Sequence, residues 1–532
     1  MLKKQRINDG GVEMRILKNF ITSKYSYLLF TFLYISCHII LLTRFPFVHS
    51  DETWLSGLSR NIMETNSYGV TESFFDLYPR NPHAIKSIFH TLQILFIKLM
   101  GYEIFTIRLL SFIFGLLTLF FFYRLCNTIF NSKKAATLST LFLSMDIQFI
   151  YASHFARQEI ILLFVLVFSL NYFLSTLSNM KLIHHVVLGS IIGLSIGIHP
   201  NSFILCLTIL FLYLFHILFT KKLPIYGLFT YLATVGALAL SFIALSFYFD
   251  PNFISNYTQY GSQFGVTNTL IAKFSAIQNF YLKLYYGVSG TYYTPDIKLE
   301  FYLFAIALAA SLLLLFNEKQ KTRELLISII LALVAINVGI LWIGRFSQPS
   351  IIFLFPLFYI LVTYVLLRMG KNAKVYLAIL LSLMISMSSL ANILPYLNHS
   401  YESYLQEIGK VVKKEDLVLA NLNAEMYFDN GKLYDYRNLA YLEESNLTFE
   451  HYIDKHEIAY IIYPDEMDFI FAYRPEWNNV YGDISSYYDD MQRFLQTKTQ
   501  LVYEFTEPTY GMRIARYINQ KEWKIKIYKV KE

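Results

Sequence analysis

The sequence predicts a polytopic α-helical membrane protein with a C-terminal α/β domain outside the bilayer. Three observations carry that prediction. The 532 residues are 55% hydrophobic and only 16% charged, with a mean hydropathy of +0.41, too little charge to clothe a soluble surface of this size. About eleven apolar runs approach or reach the length of a bilayer crossing. Beyond residue 399 the composition changes, and charged and strand-forming residues return in alternation.

The runs fall near 25–43, 104–124, 135–151, 158–178, 182–198, 202–219, 225–247, 301–316, 324–344, 350–368 and 374–394. The 47 Phe and 42 Tyr suit lipid-facing bulk and interfacial rings. Residues 88–100, "IFHTLQILFIKLM", are too short and too polar at their start to span, and predict an amphipathic helix along the membrane surface. The N-terminal basic stretch runs into a full-length apolar segment without a small-residue cleavage site, so the first segment reads as a retained helix.

Alternating these spans places the lysines and arginines on one side. Lys3, Lys4, Arg6, Arg15, Lys18 and Lys24 precede the first span, and Lys133–Lys134, Lys181, Lys221–Lys222, Lys319–Arg323 and Arg368–Lys374 fall on the same face. The positive-inside rule then puts the N-terminus in the cytoplasm and the tail outside, in a multi-pass protein of the cell membrane. The formal charge of +7 is spread over short loops with no long basic tract, which argues against nucleic acid as a partner and leaves the lipid bilayer. Cys37, Cys126 and Cys206 lie in apolar segments without metal-type spacing and read as small hydrophobes.

The same alternation gives outer loops at 44–103 and 248–300. The second is Tyr- and Gly-rich ("NYTQYGSQFG", "KLYYGVSGTYYTPD") and predicts an ordered, substrate-covering loop. Two domains follow: a transmembrane domain over 1–398 and an extracytoplasmic α/β domain over 399–532. Within the latter, "EDLVLANLNAEMYF" predicts a strand, a turn and a helix, "HEIAYIIYPDE" a strand closed by a Pro-Asp turn, "DISSYYDDMQRFLQTKTQLVYEF" a helix then a strand, and "EWKIKIYKV" a final strand.

Polar residues recur at the outer span ends: Asp51 and Glu52, then His154, Arg157 and Glu159, then His199, then Arg345. Charge at this depth marks a cavity or a pathway unless it is paired or snorkels to headgroups. Arg157 with Glu159 fits a local salt bridge, and His199 before Pro200 fits a simple turn. Adjacent carboxylates repel and gain nothing from headgroups, so Asp51–Glu52 is the hardest to read as scaffold. Arginines that neutralise a phosphate and a carboxylate that deprotonates a nucleophile would together serve a phosphate-bearing amphiphile. A transporter or flippase with a charged pathway, and a non-catalytic envelope assembly protein, fit the same pattern.

Five stretches, in order, resemble the membrane glycosyltransferases that use polyprenyl-phosphate sugars, the protein O-mannosyltransferase and lipid A aminoarabinose transferase type with the GT-C fold. "HSDETWLSGLSRNIMETNSYG" is similar to the family's first outer loop, and "GYEIFTIRLLSFIFG" to the start of its second span. "YASHFARQEI" is similar to the segment between spans three and four, "LGSIIGLSIGIHP" to the fifth span, and "GRFSQPSIIFLFPLFY" to the late Arg-Tyr-x-Leu-Pro segment. The resemblance spans about residues 25–395 and implies a GT-C transmembrane domain. It implies inverting transfer of a hexose or pentose from a polyprenyl-phosphate carrier to a glycan, lipid or protein acceptor on the outer face.

Carried onto this chain, the resemblance makes Asp51 the catalytic base and Glu52 its neighbour in orienting the acceptor, or in holding a divalent metal if one is used. No other cofactor is implied. Arg157, His199 and Arg345 would lie at the carrier phosphate, with His154 and Glu159 as further candidates. Two departures bear on that phosphate. The family's Lys-Pro-Pro is replaced by "YPRNPHAIK", with Asn81 at the lysine and Arg80 or His83 as substitutes, and the fifth span ends in His199-Pro200 rather than Lys-x-Pro.

Overall fold

A computed structural model describes residues 24–518 and 520–531. The basic residues Lys3, Lys4, Arg6, Arg15 and Lys18 lie outside the described residues. The helices of the first half are α1 (Lys24–Leu41), α2 (Ser50–Thr65), α3 (Ser87–Met100), α4 (Ile104–Phe130), α5 (Lys133–Met145), α6 (Ile147–His154), α7 (Glu159–Thr176), α8 (Leu182–Leu194), α9 (Ser202–Leu218) and α10 (Ile225–Phe249). Two helices of the 248–300 loop follow, α11 (Phe253–Ser262) and α12 (Leu270–Tyr285). Then come α13 (Lys298–Leu314), α14 (Gln320–Ile343), α15 (Phe355–Arg368) and α16 (Lys371–Ile393).

Among the described residues seven helices are long and apolar enough to cross a membrane, and eight if α5 and α6 form one bent span. The chain is a multi-pass membrane protein. Every predicted span is helical, but Leu28–Leu41, Leu182–Gly197 and Ser202–Leu218 are short for a crossing. A 3-10 turn at Ser195–Gly197 and Pro200 separate the last two. The run at 135–151 is broken by a 66° bend. Its cause is Asp146, whose carboxylate accepts from Phe149 N at 3.0 Å and so caps a new helix, while the Tyr359 hydroxyl donates to it at 2.6 Å.

Helix α3 forms where the sequence predicts it, with its polar side turned inward. The Ser59 hydroxyl bonds His90 Nδ1 at 2.8 Å and Gln93 Oε1 at 2.6 Å, while Leu95, Leu99 and Met100 are exposed. That inversion suits a helix whose outer neighbour is lipid.

The C-terminal region holds a five-stranded sheet of order β2-β1-β3-β5-β4, from Val418–Ala420, Leu433–Asp435, Tyr460–Pro464, Thr499–Thr506 and Lys524–Val530 numbered β1 to β5 along the chain. β1 pairs in parallel with β2 and β3, and β5 pairs antiparallel with β3 and β4. The strands read within "EDLVLANLNAEMYF", "HEIAYIIYPDE", "DISSYYDDMQRFLQTKTQLVYEF" and "EWKIKIYKV" are present. β2 is only three residues long, too short for its alternation to register in the sequence. The predicted helix after β1 is instead a 3-10 segment, Leu422–Tyr427.

The loop after α2 is clasped against this sheet region. Asn438 Oδ1 accepts from the backbone N–H groups of Asp76, Leu77 and Tyr78 at 3.2–3.3 Å, and its Nδ2 donates to Phe74 O at 2.9 Å. Arg60 donates to Phe428 O at 2.8 Å, and Tyr452 to Asp76 at 2.8 Å. Loop 66–86 is thereby fixed between the helical bundle and the sheet, and a cavity of about 800 Å³ opens beside it.

Candidate active site

The site begins at a helix cap. His49 precedes α2; its Nδ1 accepts from Asp51 N at 2.9 Å, and its own N–H donates to Glu52 Oε2 at 3.0 Å, a reciprocal capping box. The cap fixes the two carboxylates on different sides of the first turn. Asp51 lines the cavity. Glu52 is turned away from it and is fully buried.

Glu52 therefore departs from the expected role beside Asp51. Arg108 clamps it bidentately, Nε to Oε1 and Nη2 to Oε2 both at 2.7 Å, and Ala156 N donates to Oε1 at 3.0 Å. The same guanidinium donates to the carbonyls of Leu42, Pro46 and Phe47. With both oxygens occupied, Glu52 offers no chelate with Asp51, and among the described residues no group of three or more His, Cys, Asp or Glu could hold a metal ion. The residues do not fit a divalent cation here.

Asp51 Oδ2 accepts from the Tyr292 hydroxyl at 2.6 Å and lies 3.2 Å from Arg157 Nη1. Burial by itself would raise its carboxyl, but Arg157, His49 and the Tyr292 hydrogen bond outweigh it and hold the group well below the usual carboxylate range. His49 stacks on Tyr292 with centroids 4.5 Å apart, and burial lowers its imidazole to about 4. Arg157 also reaches Glu159 at 3.3 Å, so the sequence-local pair exists, yet its Nε is buried without a hydrogen-bond partner and its Nη1 is engaged by Asp51 alone. Buried, unused donors of this kind are capacity for an anion.

Around this pair the cavity gathers Arg80, His83, His199 and Arg345 as well as Lys86. Arg345 lies over Phe264, 4.3 Å from the ring centroid, with no carboxylate in ion-pair distance among the described residues. His199 Nδ1 accepts from Asn201 N at 3.0 Å. Burial, together with Lys86, Arg345 and Arg157, pushes its imidazole well below the ordinary range. It is thus neutral, with Nε2–H left as donor. Arg80 differs, because Glu72 holds it at 3.0 and 3.2 Å. His83 packs edge-on against Tyr257, and burial lowers it to about 3. His154 is outside the cavity: it bonds His38 at 2.8 Å and Phe45 O at 3.0 Å. Glu159 does not line the cavity either.

Lys86 lies in the "YPRNPHAIK" stretch, where nothing in the sequence sets it apart from its polar neighbours. It caps α3 in the left-handed region, φ 78°, an uncommon place for lysine. Burial and the nearby Arg345, Arg80 and Arg157 push its ammonium down to about 7. Tyr292 and Arg108 also complete the site without standing out among the span-end charges. Tyr292 lies in the Tyr-rich loop quoted above, and Arg108 in "FTIRLLS", where a lone arginine in an apolar run was the available signal.

The family described as dolichyl-phosphate-mannose-protein mannosyltransferase matches residues 88–247. No curated protein sequence matches the chain. Among solved structures, ArnT from Cupriavidus metallidurans bound to undecaprenyl phosphate is similar at 11% identity and TM-score 0.63, over 95% of this chain and 98% of that one. The same protein in the apo state gives 0.55 at 11% identity, over 81% and 95%. The oligosaccharyltransferase AglB from Archaeoglobus fulgidus, in complex with an inhibitory peptide and a dolichol-phosphate, gives 0.50 at 12%, over 93% and 75%. Helical bundle, first-loop cap and C-terminal sheet region together have the GT-C fold of membrane glycosyltransferases.

Proposed function

We propose that this chain is an inverting glycosyltransferase that moves a sugar from a polyprenyl-phosphate carrier to a glycan, lipid or protein acceptor at the outer face of the membrane. The observation that carries the reading is the meeting of Lys86, Arg157 and Arg345 with the ionised Asp51 in one cavity. The undecaprenyl phosphate and dolichol-phosphate in the similar structures are of the same chemical class as the proposed carrier.

The carrier phosphate would lie on Lys86, Arg345 and the open Nε–H side of Arg157, with His199 Nε2–H as a neutral donor. These groups stabilise the charge that builds on the leaving phosphate as the C1–O bond breaks. The acceptor nucleophile attacks C1 from the opposite side, its proton passes to Asp51, and polyprenyl phosphate departs with the bonding electrons. An Asp51 held so far down by Arg157 is a weak base. A phosphate competing for Arg157 loosens that pair and raises the proton affinity of the carboxylate at the moment it is needed. Donor binding would thus arm the base.

The outer position follows from the lysine and arginine asymmetry, with residues 399–532 forming the extracytoplasmic domain. The direct test is release of polyprenyl phosphate from a polyprenyl-phosphate sugar by the purified protein, wild type against Asp51→Asn. Release that depends on Asp51 is expected. Transport of the lipid or a solute without bond cleavage would overturn the enzyme reading.

A further inference from the structure

Two cationic side chains in the cavity, Arg437 and Arg513, come from the C-terminal region, and the mechanism above uses neither. Arg437 follows Asp435, which caps the 3-10 segment Tyr436–Tyr441 and accepts from Arg437 N at 3.0 Å. Two guanidinium groups compete for this one carboxylate. Arg513 takes Oδ2 directly, alongside Leu422 N at 3.2 Å, and completes its own bonds to Asn421 Oδ1 at 2.8 Å and Val480 O at 2.7 Å. Arg437 is left 4.0 Å from Oδ1, the outer limit of an ion pair.

The Arg437 side chain is only 14% exposed, and its Nη1 is buried without a hydrogen-bond partner. Its guanidinium lies over Trp54, 4.6 Å from the ring centroid, and lines the same cavity as Asp51 and Trp477. Glu444, Glu476 and Asp483 also line the cavity. The first two are exposed to water, and Asp483 is bonded by Asn478 and Ser485. None of the three is in ion-pair distance of Arg437 among the described residues. A desolvated guanidinium without a full counter-charge is costly unless a ligand supplies one. A fork held flat on an indole with an open N–H is suited to a carboxylate or phosphate.

We infer that Arg437 is a second anion subsite, and that the acceptor is an anionic saccharide, bearing phosphate or carboxylate, that docks against Trp54. This rests on the proposed function, in which Lys86, Arg157 and Arg345 take the carrier phosphate. The carrier's chain stays in the bilayer, so its phosphate is held by residues of the membrane bundle and its loops. Arg437 belongs to the sheet region, and the anion it meets is the other substrate's. Asp51 feels both Arg157 and Arg437, as a base between two substrates would.

The test is calorimetric titration of the full-length protein in nanodiscs with glucose 6-phosphate, glucuronate and glucose, each with undecaprenyl phosphate at saturation. Glucose 6-phosphate or glucuronate should bind at least tenfold more tightly than glucose, and the better of the two identifies the anion. Arg437→Gln should lose that preference, and Arg437→Lys should weaken it threefold or more because a point charge replaces the fork. Equal binding of glucose, unchanged binding by Arg437→Gln, or loss of sugar-anion binding in the wild type when undecaprenyl phosphate is added would each overturn the inference. Where Arg437→Gln fails to fold, unchanged binding by Arg437→Lys overturns it. Failure of undecaprenyl phosphate itself to bind would sink the carrier reading separately, and the Arg437 variants would still decide the subsite.

Discussion

Asp51 and Glu52 share a helical turn and a capping box, yet they end in two regions with opposite physics. On the Glu52 side every donor and acceptor is spent: Arg108 makes five hydrogen bonds, two to the carboxylate and three to carbonyls of the preceding loop. On the Asp51 side the capacity is incomplete. Arg157 keeps a buried Nε–H without a partner, and Arg345 and Lys86 have no carboxylate in ion-pair distance among the described residues. Saturation locks the loop to α4 and to the segment after α6. The unsatisfied side is the one with room for a ligand.

The sharpest way to break this contrast is to exchange the fates of the two acids. Asp51→Asn should lower polyprenyl-phosphate release by about 10²–10⁴-fold while leaving the thermal melting of the purified protein within a few degrees of wild type. A melting collapse with normal turnover per folded molecule would place Asp51 in the scaffold instead. Glu52→Ala should do the reverse. Removing one partner of a fully buried pair costs about 3–5 kcal/mol, so folded yield and melting temperature should fall while the surviving folded fraction retains turnover.

A smaller effect is expected at the phosphate. Lys86→Ala should weaken undecaprenyl phosphate binding by about 10–100-fold, the worth of a charged hydrogen bond of about 1.5–3 kcal/mol. No change would remove Lys86 from the carrier site. The smallest effect is its pH dependence. With the empty-site ammonium pushed down to about 7, Lys86 loses its charge as pH rises through neutrality, and a bound phosphate restores it. Affinity should therefore fall by up to about tenfold between pH 6 and pH 8, with proton uptake at pH 8 visible as a buffer-dependent binding enthalpy. Lys86→Ala should abolish that uptake.

Much of the bundle was legible because hydrocarbon imposes one-dimensional rules: long apolar runs and clustered basic loops register residue by residue. The site was legible in part. Asp51, Arg157, His199 and Arg345 stand out as polar groups at span ends, and all four line the cavity. His154 and Glu159 stand out for the same reason and do not line it, since a buried polar residue gives the same signal whether its partner is a ligand or His38. Lys86 gave little signal, because one lysine in a polar loop resembles any other until its backbone angle and neighbours are known.

By itself, then, the sequence determined the membrane character, the order of helices, the strand-rich tail and a short roster of unusual polar residues. Those follow from hydropathy and local periodicity, which need no knowledge of what packs against what. Only the tertiary structure decided which acid faces the cavity, that Arg108 from α4 claims Glu52, and that Arg437 from the far end of the chain stands over Trp54. Each of these depends on which distant side chain has already satisfied a given donor or acceptor, and hydrogen-bond saturation is a property of three-dimensional neighbours rather than of spacing along the chain.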